Sequence, residues 1–236
     1  NNRVIGGLNP DDSKLAKEFY KTFCEGQIKL TNARTAELVK LTENTFRDVN
    51  IAFANELSII SDHLKVDVDE LIYLSNQHPR VNILKPGCGV GGHCIAIDPW
   101  FLASALPDNT HLIQTARNVN NKKVSWVITK VKERAKNFEQ KKGRSPKIGC
   151  LGLTFKPNVD DIRESPAKII IDDLKLANLD LLICEPNLKK LSNINLYDFE
   201  YVFKNSDFLV FLVAHKEFKN LDLKNKDYFD VCGVTS

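Results

Sequence analysis

The chain of 236 residues contains no methionine, only two tryptophans and no long apolar run. A membrane-spanning helix needs roughly 18 uninterrupted apolar residues, which no segment approaches, and no secretory signal opens the chain. An excess of charge is also missing, because 33 Lys and Arg stand against 30 Asp and Glu, a net charge of +3. This balance argues against a dedicated nucleic-acid-binding protein and against a polybasic protein of membrane surfaces. We therefore expect a globular cytoplasmic protein with neither nucleic acid nor membrane among its partners.

The six cysteines lack the pattern of a disulfide framework or a zinc site. An even count permits disulfides, but the chain is large, has no targeting segment, and places half of its cysteines in apolar, strand-like runs. Buried, reduced thiols are therefore favoured. Cys88, His93 and Cys94 lie close together, yet no second pair of ligands follows at the spacing of a structural zinc site. We predict no metal site.

Helical patterns dominate the first 140 residues. Asp11 and Asp12 are placed to cap a helix over 13–24 that has its apolar residues on one face. A far longer helix is predicted from Ala33 to about Leu64, where Pro and Gly are absent and apolar residues recur at helical spacing. Such a helix, about 45 Å long, is typical of one that bridges domains or carries a dimer interface. Its apolar stripe comprises Leu38, Leu41, Thr45, Val49, Ala52, Phe53, Leu57 and Ile60. Further helices are predicted over 67–76, 99–106 and 108–138.

The composition shifts at 141–146, where Lys-Lys-Gly-Arg-Ser-Pro predicts a linker or a helix exit. Beyond it, short apolar runs with turn residues after them alternate with a helix over 166–177. This alternation is typical of a parallel, Rossmann-like sheet. The predicted strands cover 147–155, 179–184 and 208–213. We therefore predict a mixed fold, mostly α-helical in its first part and α/β in its second.

A glycine-rich loop over 86–99 has the strongest potential for chemistry. Four glycines within six residues let the backbone approach a ligand closely and expose N–H groups. Cys94 is expected just before a helix N-terminus, where the positive end of the helix dipole favours a thiolate. Asp98 follows at i+4, so a carboxylate that handles water would lie beside a thiol nucleophile, a reasonable pair for acyl transfer. On spacing alone, a glycine-rich turn around a buried cysteine is the favoured alternative.

Lys40 and Asn44 lie at i and i+4 on the long helix and therefore share a face. At the edge of an apolar stripe, they could point into a cleft and stabilise negative charge that develops on oxygen. An ion pair between Glu37 and Lys40 on the helix surface is the local alternative, and it is favoured by spacing alone.

The stretch 152–166 lies where the first strand of the α/β part turns into its helix, and ligands bind at the carboxyl ends of parallel strands. Lys156 and Arg163 suit an anionic ligand such as a diphosphate. Ser165 can cap the helix with Pro166 at its first position. The G-x-G-x-x-G fingerprint is absent from the chain, so a standard NAD site is not predicted.

Three stretches together, in this order, resemble the UDP-glucose/GDP-mannose dehydrogenase family, NAD-dependent enzymes that oxidise a nucleotide sugar twice at C6. They are 32–57, 78–101 and 152–167, and they resemble the UDP-N-acetyl-D-mannosamine dehydrogenase branch most. The resemblance implies a central helical domain over 1–141, which carries a long dimer helix and the cysteine loop. It implies a Rossmann-like UDP-sugar-binding domain over 142–236. It also outweighs the local alternatives above.

The resemblance implies a role for each side chain singled out above. Cys94 matches the nucleophile that captures the aldehyde intermediate, and Asp98 matches the aspartate implicated in activating water. Lys40 and Asn44 match the helix pair that holds oxygen at the reacting carbon. Lys156 matches a lysine that contacts the substrate.

Further binding residues follow from the same resemblance. Arg163 matches an arginine that reaches the NAD, and Arg80 resembles a substrate-binding arginine contributed by the partner subunit of a homodimer. The other substrate-binding positions implied are Gly89, Gly92 and His93.

Two departures from the UDP-glucose branch bear on the substrate. Ile97 stands where that branch usually has a lysine, and His93 replaces a small or aromatic neighbour of the cysteine. Both point to a 2-acetamido sugar. The implied function is NAD-dependent four-electron oxidation of UDP-N-acetyl-D-mannosamine at C6 to the uronate, through a thiohemiacetal and a thioester, for surface polysaccharide precursors. Alternatives are a UDP-N-acetylglucosamine or UDP-glucose 6-dehydrogenase, a non-catalytic nucleotide-sugar-binding or dimerisation module, and an unrelated thiol acyltransferase.

The family's N-terminal NAD domain, with its glycine fingerprint and catalytic glutamate, has no counterpart in these residues. The chain begins at Asn1 without an initiator methionine, and Arg3–Gly7 resembles the junction that follows that domain. We therefore expect a fragment of a longer enzyme, inactive in isolation, that holds the nucleophile, the UDP-sugar site and the dimer helix.

Overall fold

The computed structural model describes residues 1–235, and its first 32 residues form a β–α–β unit. Strand β1 (Arg3–Gly7) pairs in parallel with β2 (Ile28–Asn32), and α1 (Pro10–Lys21) connects them. The prediction that Asp11 and Asp12 cap this helix holds only in part: the Asp12 carboxylate accepts from the backbone N–H of Asn9 at 3.3 Å in a capping box, but neither aspartate is the N-cap. The cap is Asn9, whose side-chain oxygen accepts from the backbone N–H of both aspartates at 3.0 Å, so the aspartates belong to the first turn.

The long helix α2 spans Ala33–Leu64, as predicted. Asn32 caps its N-terminus by accepting from the backbone N–H of Thr35 at 2.9 Å, and Lys65 ends it in the left-handed conformation. α2 packs along α5 (His111–Lys142), a second helix of 32 residues. Two shorter helices follow α2 in the chain, α3 (Val68–Ser75) and α4 (Asp98–Ala105).

The predicted apolar stripe of α2 is buried only in part: Thr45 and Ala52 are buried, but most of its large side chains are not. Phe53 is 51% exposed and Leu38 is 50% exposed, whereas Asn44, Asp48 and Asn55 are buried. The reason is that α5 presents polar partners to this face, so polar side chains and small alanines are buried there while large apolar side chains such as Phe53 are exposed. The polar partners on α5 are Arg117, Asn120 and Lys123.

Helix α5 begins later and ends later than the predicted 108–138. A short 3₁₀ turn, Pro107–Asn109, precedes it, and Gly143 ends it with a positive φ of 68°. The linker therefore shrinks to the few residues before the next strand. The helix contains neither Pro nor Gly and packs against elements on both sides of the molecule.

The second part of the chain is a four-stranded parallel sheet, which confirms the α/β prediction. The elements are β3 (Lys147–Leu151), α6 (Pro166–Leu176), β4 (Asp180–Cys184), α7 (Phe199–Asn205), β5 (Phe208–Phe211) and β6 (Asp227–Asp230). The strand order is β4-β3-β5-β6, with α5 and α6 on one face and α7 on the other. Strand β3 stops earlier than predicted because Gly152 turns the chain with a φ of +96°, and β6 was not predicted.

Two further sequence expectations can be compared with residues 1–235. All six cysteines are free thiols and four of them are buried, which confirms the prediction of reduced, buried cysteines. None of the described helices is both long enough and apolar enough to cross a membrane.

Candidate functional site

Three of the predicted site residues form one chain of hydrogen bonds between α2 and α4. The Lys40 ammonium donates to the Asn44 side-chain oxygen at 3.2 Å, and the Asn44 amide donates to the Asp98 carboxylate at 2.5 Å. Asn44 is 5% exposed, while Asp98 is half-buried and Lys40 is exposed, so the chain of bonds runs from the surface to a buried amide. Asn44 and Asp98, which are 54 positions apart in the chain, are therefore in direct contact. The alternative ion pair between Lys40 and Glu37 is not observed among the described ion pairs.

Cys94 lies in a turn one helical step before α4. Its carbonyl accepts from the backbone N–H of Ile97 at 3.0 Å and of Asp98 at 2.8 Å. The cysteine is half-buried and its thiol is free. The helix thus begins at Asp98, as predicted, and Cys94 lies one turn before this first helical residue.

The glycines of the loop allow backbone to pack where no side chain fits. A Cβ on Gly91 would lie 2.1 Å from the carbonyl oxygen of Glu164, and one on Gly92 would lie 2.7 Å from the ring of Phe155. Gly89, at a φ of +141°, lies against α5. The loop that carries Cys94 is thereby pressed against the segment after β3, which joins two of the three stretches singled out in the sequence.

Arg163 is held beside the cysteine loop by Asp161. Its Nε and Nη2 donate to the two carboxylate oxygens at 2.6–3.0 Å. These hydrogen bonds lower the pKa of Asp161 to about 2, with a smaller contribution from His93. Asp161 in turn raises the pKa of Arg163, and Cys94 adds a smaller effect of the same sign. The guanidinium is thus a fixed positive charge near the thiol.

Lys156 stands on the same segment and points away from the buried core. It is exposed, with its ammonium 5.4 Å from the centroid of the Phe155 ring, and that ring is the one that Gly92 contacts. Lys156 and the cysteine loop therefore meet through a single aromatic ring.

The remaining predicted residues lie at the surface. His93 is exposed beside Cys94. Arg80 is exposed in the turn after α3, where its backbone N–H donates to His78 at 3.3 Å. The described contacts do not bring Arg80 to the other site residues.

Two buried polar residues near this site were not predicted from the sequence. Glu185 follows β4 directly and His215 lies four residues after β5, and they contact each other at 3.0 Å. The only signal in the sequence is that each polar residue follows an apolar strand, a pattern shared by many structural residues.

Of the residues singled out above, Arg163 is the one proposed to contact NAD. Arg163 carries a permanent positive charge, as a cofactor phosphate requires, and its Nη1 is not used in the bonds to Asp161. This supports a contact with NAD but does not provide a dinucleotide site, which agrees with the absent glycine fingerprint.

Comparison with known proteins gives matches along almost the whole chain. Residues 34–122 match the UDP-glucose/GDP-mannose dehydrogenase family, central domain, and residues 149–235 match the UDP binding domain of the same family. UDP-N-acetyl-D-mannosamine dehydrogenase of Campylobacter jejuni is 50% identical over 92% of this chain and 54% of its own length. NDP-N-acetyl-D-galactosaminuronic acid dehydrogenase of Ralstonia solanacearum is 47% identical over 100% of this chain and 56% of its own length.

A solved structure agrees with these matches. The UDP-N-acetyl-mannosamine dehydrogenase Cap5O from S. aureus superposes with a TM-score of 0.87 and 40% identity, over 100% of this chain and 56% of the other. The chain thus spans about half the length of the relatives that it matches.

Proposed function

Because the chain belongs to the UDP-glucose/GDP-mannose dehydrogenase family, we propose that it carries the nucleophile and the nucleotide-sugar site of an NAD-dependent UDP-N-acetyl-D-mannosamine 6-dehydrogenase. The observation that carries this proposal is the hydrogen-bond chain Lys40–Asn44–Asp98 at the foot of the Cys94 turn. It joins an ammonium, an amide and a carboxylate at the start of the helix into which the Cys94 turn leads, and thiol-based oxidation of an aldehyde needs these groups.

In the proposed mechanism, Cys94 adds as a thiolate to the C6 aldehyde and forms a thiohemiacetal. Lys40 and Asn44 stabilise the alkoxide, because an ammonium and an amide N–H both donate to oxygen. A cofactor contacted by Arg163 would supply the hydride acceptor for C6, one NAD molecule for each of the two oxidation steps. The second step gives a thioester on Cys94. Asp98 then takes a proton from water, which hydrolyses the thioester to the uronate and frees the thiol.

Lys156 and Arg163 complete the proposed site from the α/β part. Lys156 offers its ammonium to the nucleotide diphosphate, and Arg163 offers the free edge of its guanidinium to a cofactor phosphate. Gly89, Gly92 and His93 are proposed to contact the sugar.

The exposed side of α2 supports a homodimer. Apolar side chains lie on the face turned away from α5, and a second copy of the chain would cover them. We propose that Arg80 reaches the sugar site of the partner subunit in this dimer. We further propose a helical unit over 1–141 and a UDP-binding unit over 142–236, in a cytoplasmic enzyme of polysaccharide precursor synthesis.

A second candidate substrate is a nucleotide-linked N-acetylgalactosaminuronic acid precursor. The relative with this kind of name is 47% identical over 100% of the chain, which is close to the 50% of the mannosamine enzyme. Both candidates share the UDP or NDP group and the 2-acetamido sugar, and they differ in the configuration of the ring.

Titration calorimetry tests the proposal directly. The chain is titrated with UDP-N-acetylmannosamine, with UDP-N-acetylgalactosamine and UDP-N-acetylglucosamine as comparisons. We expect the mannosamine nucleotide to bind most tightly, and Lys156→Ala to weaken it at least about tenfold, since a hydrogen bond to a charged group contributes roughly 1.5–3 kcal/mol. Lys219→Ala, which removes an exposed lysine elsewhere in the α/β part, is the control. A folded sample that binds no UDP-sugar would contradict the proposal.

A further inference from the structure

The carboxyl ends of three neighbouring strands meet at a buried polar cluster that the proposed mechanism does not use. β3 leads into the segment 152–158, β4 leads into Glu185, and β5 leads to His215. Glu185 is 3% exposed and His215 is 0% exposed. This edge of a parallel sheet is where ligands bind, so a buried ionisable pair at this place calls for a role.

Glu185 holds the first half of the segment 152–158 through hydrogen bonds from its backbone. Its Oε2 accepts from the backbone N–H of Leu153 at 2.7 Å and of Thr154 at 3.2 Å, and its Oε1 accepts from the backbone N–H of Asn187 at 2.9 Å. Burial by itself raises the pKa of Glu185, but the hydrogen bonds from His215 and from these backbone groups outweigh it and hold the pKa below its ordinary value. The carboxylate is therefore charged and saturated with donors.

His215 holds the second half of the segment 152–158 through a hydrogen bond from the backbone of Asn158. Its Nδ1 lies 3.0 Å from the backbone nitrogen of Asn158. A backbone N–H can only donate, so Nδ1 must carry a lone pair. The proton of the neutral ring is then on Nε2, which faces the Glu185 carboxylate at 3.0 Å. The structure thus assigns one tautomer, and this tautomer links Asn158 to Glu185 through the imidazole.

Lys156 lies between these two anchors. The backbone before Lys156 donates to Glu185, and the backbone after it donates to His215. In addition, the Lys156 carbonyl accepts from the Thr154 hydroxyl at 2.9 Å. Its ammonium lies over the Phe155 ring, which in turn contacts the cysteine loop. The backbone N–H groups of Leu153, Thr154 and Asn158, on either side of Lys156, therefore all donate to the buried pair, while the N–H of Phe155 donates to the carbonyl of Asp161 at 3.0 Å.

We propose that Glu185 and His215 are positioning residues for Lys156, and that they set its ammonium against the diphosphate of the nucleotide sugar. This inference rests on the proposed function, because Lys156 is its point of contact with the ligand. Replacing both partners of a buried hydrogen bond by apolar groups of the same shape can be nearly neutral or stabilising, so stability alone does not account for the pair.

Two substitutions of His215 separate positioning from packing. His215→Asn keeps an acceptor near the place of Nδ1, and so keeps the bond from Asn158, but loses the donor to Glu185. His215→Gln keeps a donor near the place of Nε2 but loses the acceptor for Asn158. Both remove the ring, so both should lower the melting temperature by similar amounts.

Calorimetry with UDP is the readout. We expect His215→Gln to weaken UDP binding at least tenfold and His215→Asn to stay within threefold of the unsubstituted chain. In a chain that already has Lys156→Ala, His215→Gln should add no further loss, because it acts through Lys156. Equal losses in the two variants, or additive losses in the double variant, would overturn the inference.

Spectra without ligand keep this test independent of the proposed function. A folded chain that binds no UDP would refute the proposed function alone. In ¹⁵N-histidine-labelled protein, a neutral His215 with its proton on Nε2 supports the positioning role. In uniformly ¹⁵N-labelled protein, an Asn158 amide that is protected from exchange, except in His215→Gln, supports it as well. A proton on Nδ1 of His215 overturns it.

Discussion

The α2–α5 helix pair and the parallel sheet bury opposite kinds of side chain. Between the helices, Asp48 accepts from Arg117 at 2.6 Å and from Asn120 at 2.8 Å, and the ammonium of Lys123 donates to Ser58 at 2.6 Å. Around the sheet, the interior is apolar except at the carboxyl ends of the strands. The helix pair thus buries charged and amide side chains at its contact and leaves large apolar side chains such as Leu38 and Phe53 of α2 exposed, whereas the sheet buries its large apolar side chains.

The difference shows how each region obtains its structure. Apolar burial is non-directional and stabilises the sheet in proportion to area. Buried polar groups gain little net energy but are costly when left unpaired, so they permit one register of α2 against α5 and penalise others. Asn55 extends this to the cysteine loop, since it donates to Asn120 at 2.9 Å and accepts from the backbone N–H of Gly87 at 2.8 Å.

The largest effect is expected from breaking the buried ion pair between the helices. Asp48→Ala leaves Arg117 buried without a counter-charge, and we expect the free energy of unfolding to fall by about 3–5 kcal/mol. Urea denaturation measures it. The double change Asp48→Leu with Arg117→Met should recover most of the loss, because it makes this interface resemble the sheet. A single-variant loss below about 1 kcal/mol would mean that water reaches the pair.

The sheet core should respond to lost volume instead of lost charge. Leu174→Ala on α6 opens a cavity at a 0% exposed position and should lower the free energy of unfolding by about 2–5 kcal/mol. Leu176→Ala on the same helix, at an 84% exposed position, is the matched control and should change it by less than about 0.5 kcal/mol. Similar effects at both positions would contradict the described packing of α6.

The helix pair should also show a pH dependence that the apolar core lacks. Burial lowers the pKa of Lys123 from 10.5 to about 7, so between these values the folded chain binds fewer protons than the unfolded chain. The free energy of unfolding should therefore rise with pH from about 7, by at most about 1.4 kcal/mol per pH unit. Measurements between pH 7 and 8.5 avoid the buried thiols Cys88 and Cys150, whose pKa values are raised to about 12 by burial and which act in the opposite direction above pH 9.

Lys123→Met is the control for this pH dependence. It removes the titrating group with little change in volume, so the rise between pH 7 and 8.5 should flatten. An equal slope in the variant would assign the effect to other groups.

The smallest effect on stability is expected at the outer face of α2. Phe53→Ser, at a 51% exposed position, should change the free energy of unfolding of the monomer by about 0.5 kcal/mol or less. It should nevertheless shift the chain from dimer to monomer in sedimentation equilibrium. Leu176→Ser is the control for exposed apolar residues outside this face. Unchanged association in Phe53→Ser would place the dimer contact elsewhere.

Local signals in the sequence were sufficient for most of the fold. The bounds of α2 follow from the Asn32 cap and the absence of Pro and Gly up to Leu64. The face that α2 buries could not be predicted, because it depends on Arg117 and the other polar partners that α5 supplies across the interface. β2 and β6 were missed since both are short and half-exposed.

In the candidate site, too, residues with a local signal in the sequence were found and residues that depend on distant partners were not. Lys40, Asn44, Cys94 and Asp98 were singled out from spacing and resemblance, and the structure brings Lys40, Asn44 and Asp98 into one hydrogen-bond chain. His215 could not be found because its partners come from two other strand ends, which only the sheet brings together. A residue whose role depends on several distant segments leaves no local pattern.

Helix α5 has a mechanical consequence. It runs for 32 residues, about 48 Å, without a Pro or Gly, and one end packs on α2 while the other packs on α6. A continuous helix of this kind resists bending, so it offers no hinge between the cysteine loop and the segment around Lys156. Any opening or closing around a ligand would then come from loops or from contact with another part of the protein, and α5 would hold the cysteine loop and the segment around Lys156 at a constant separation.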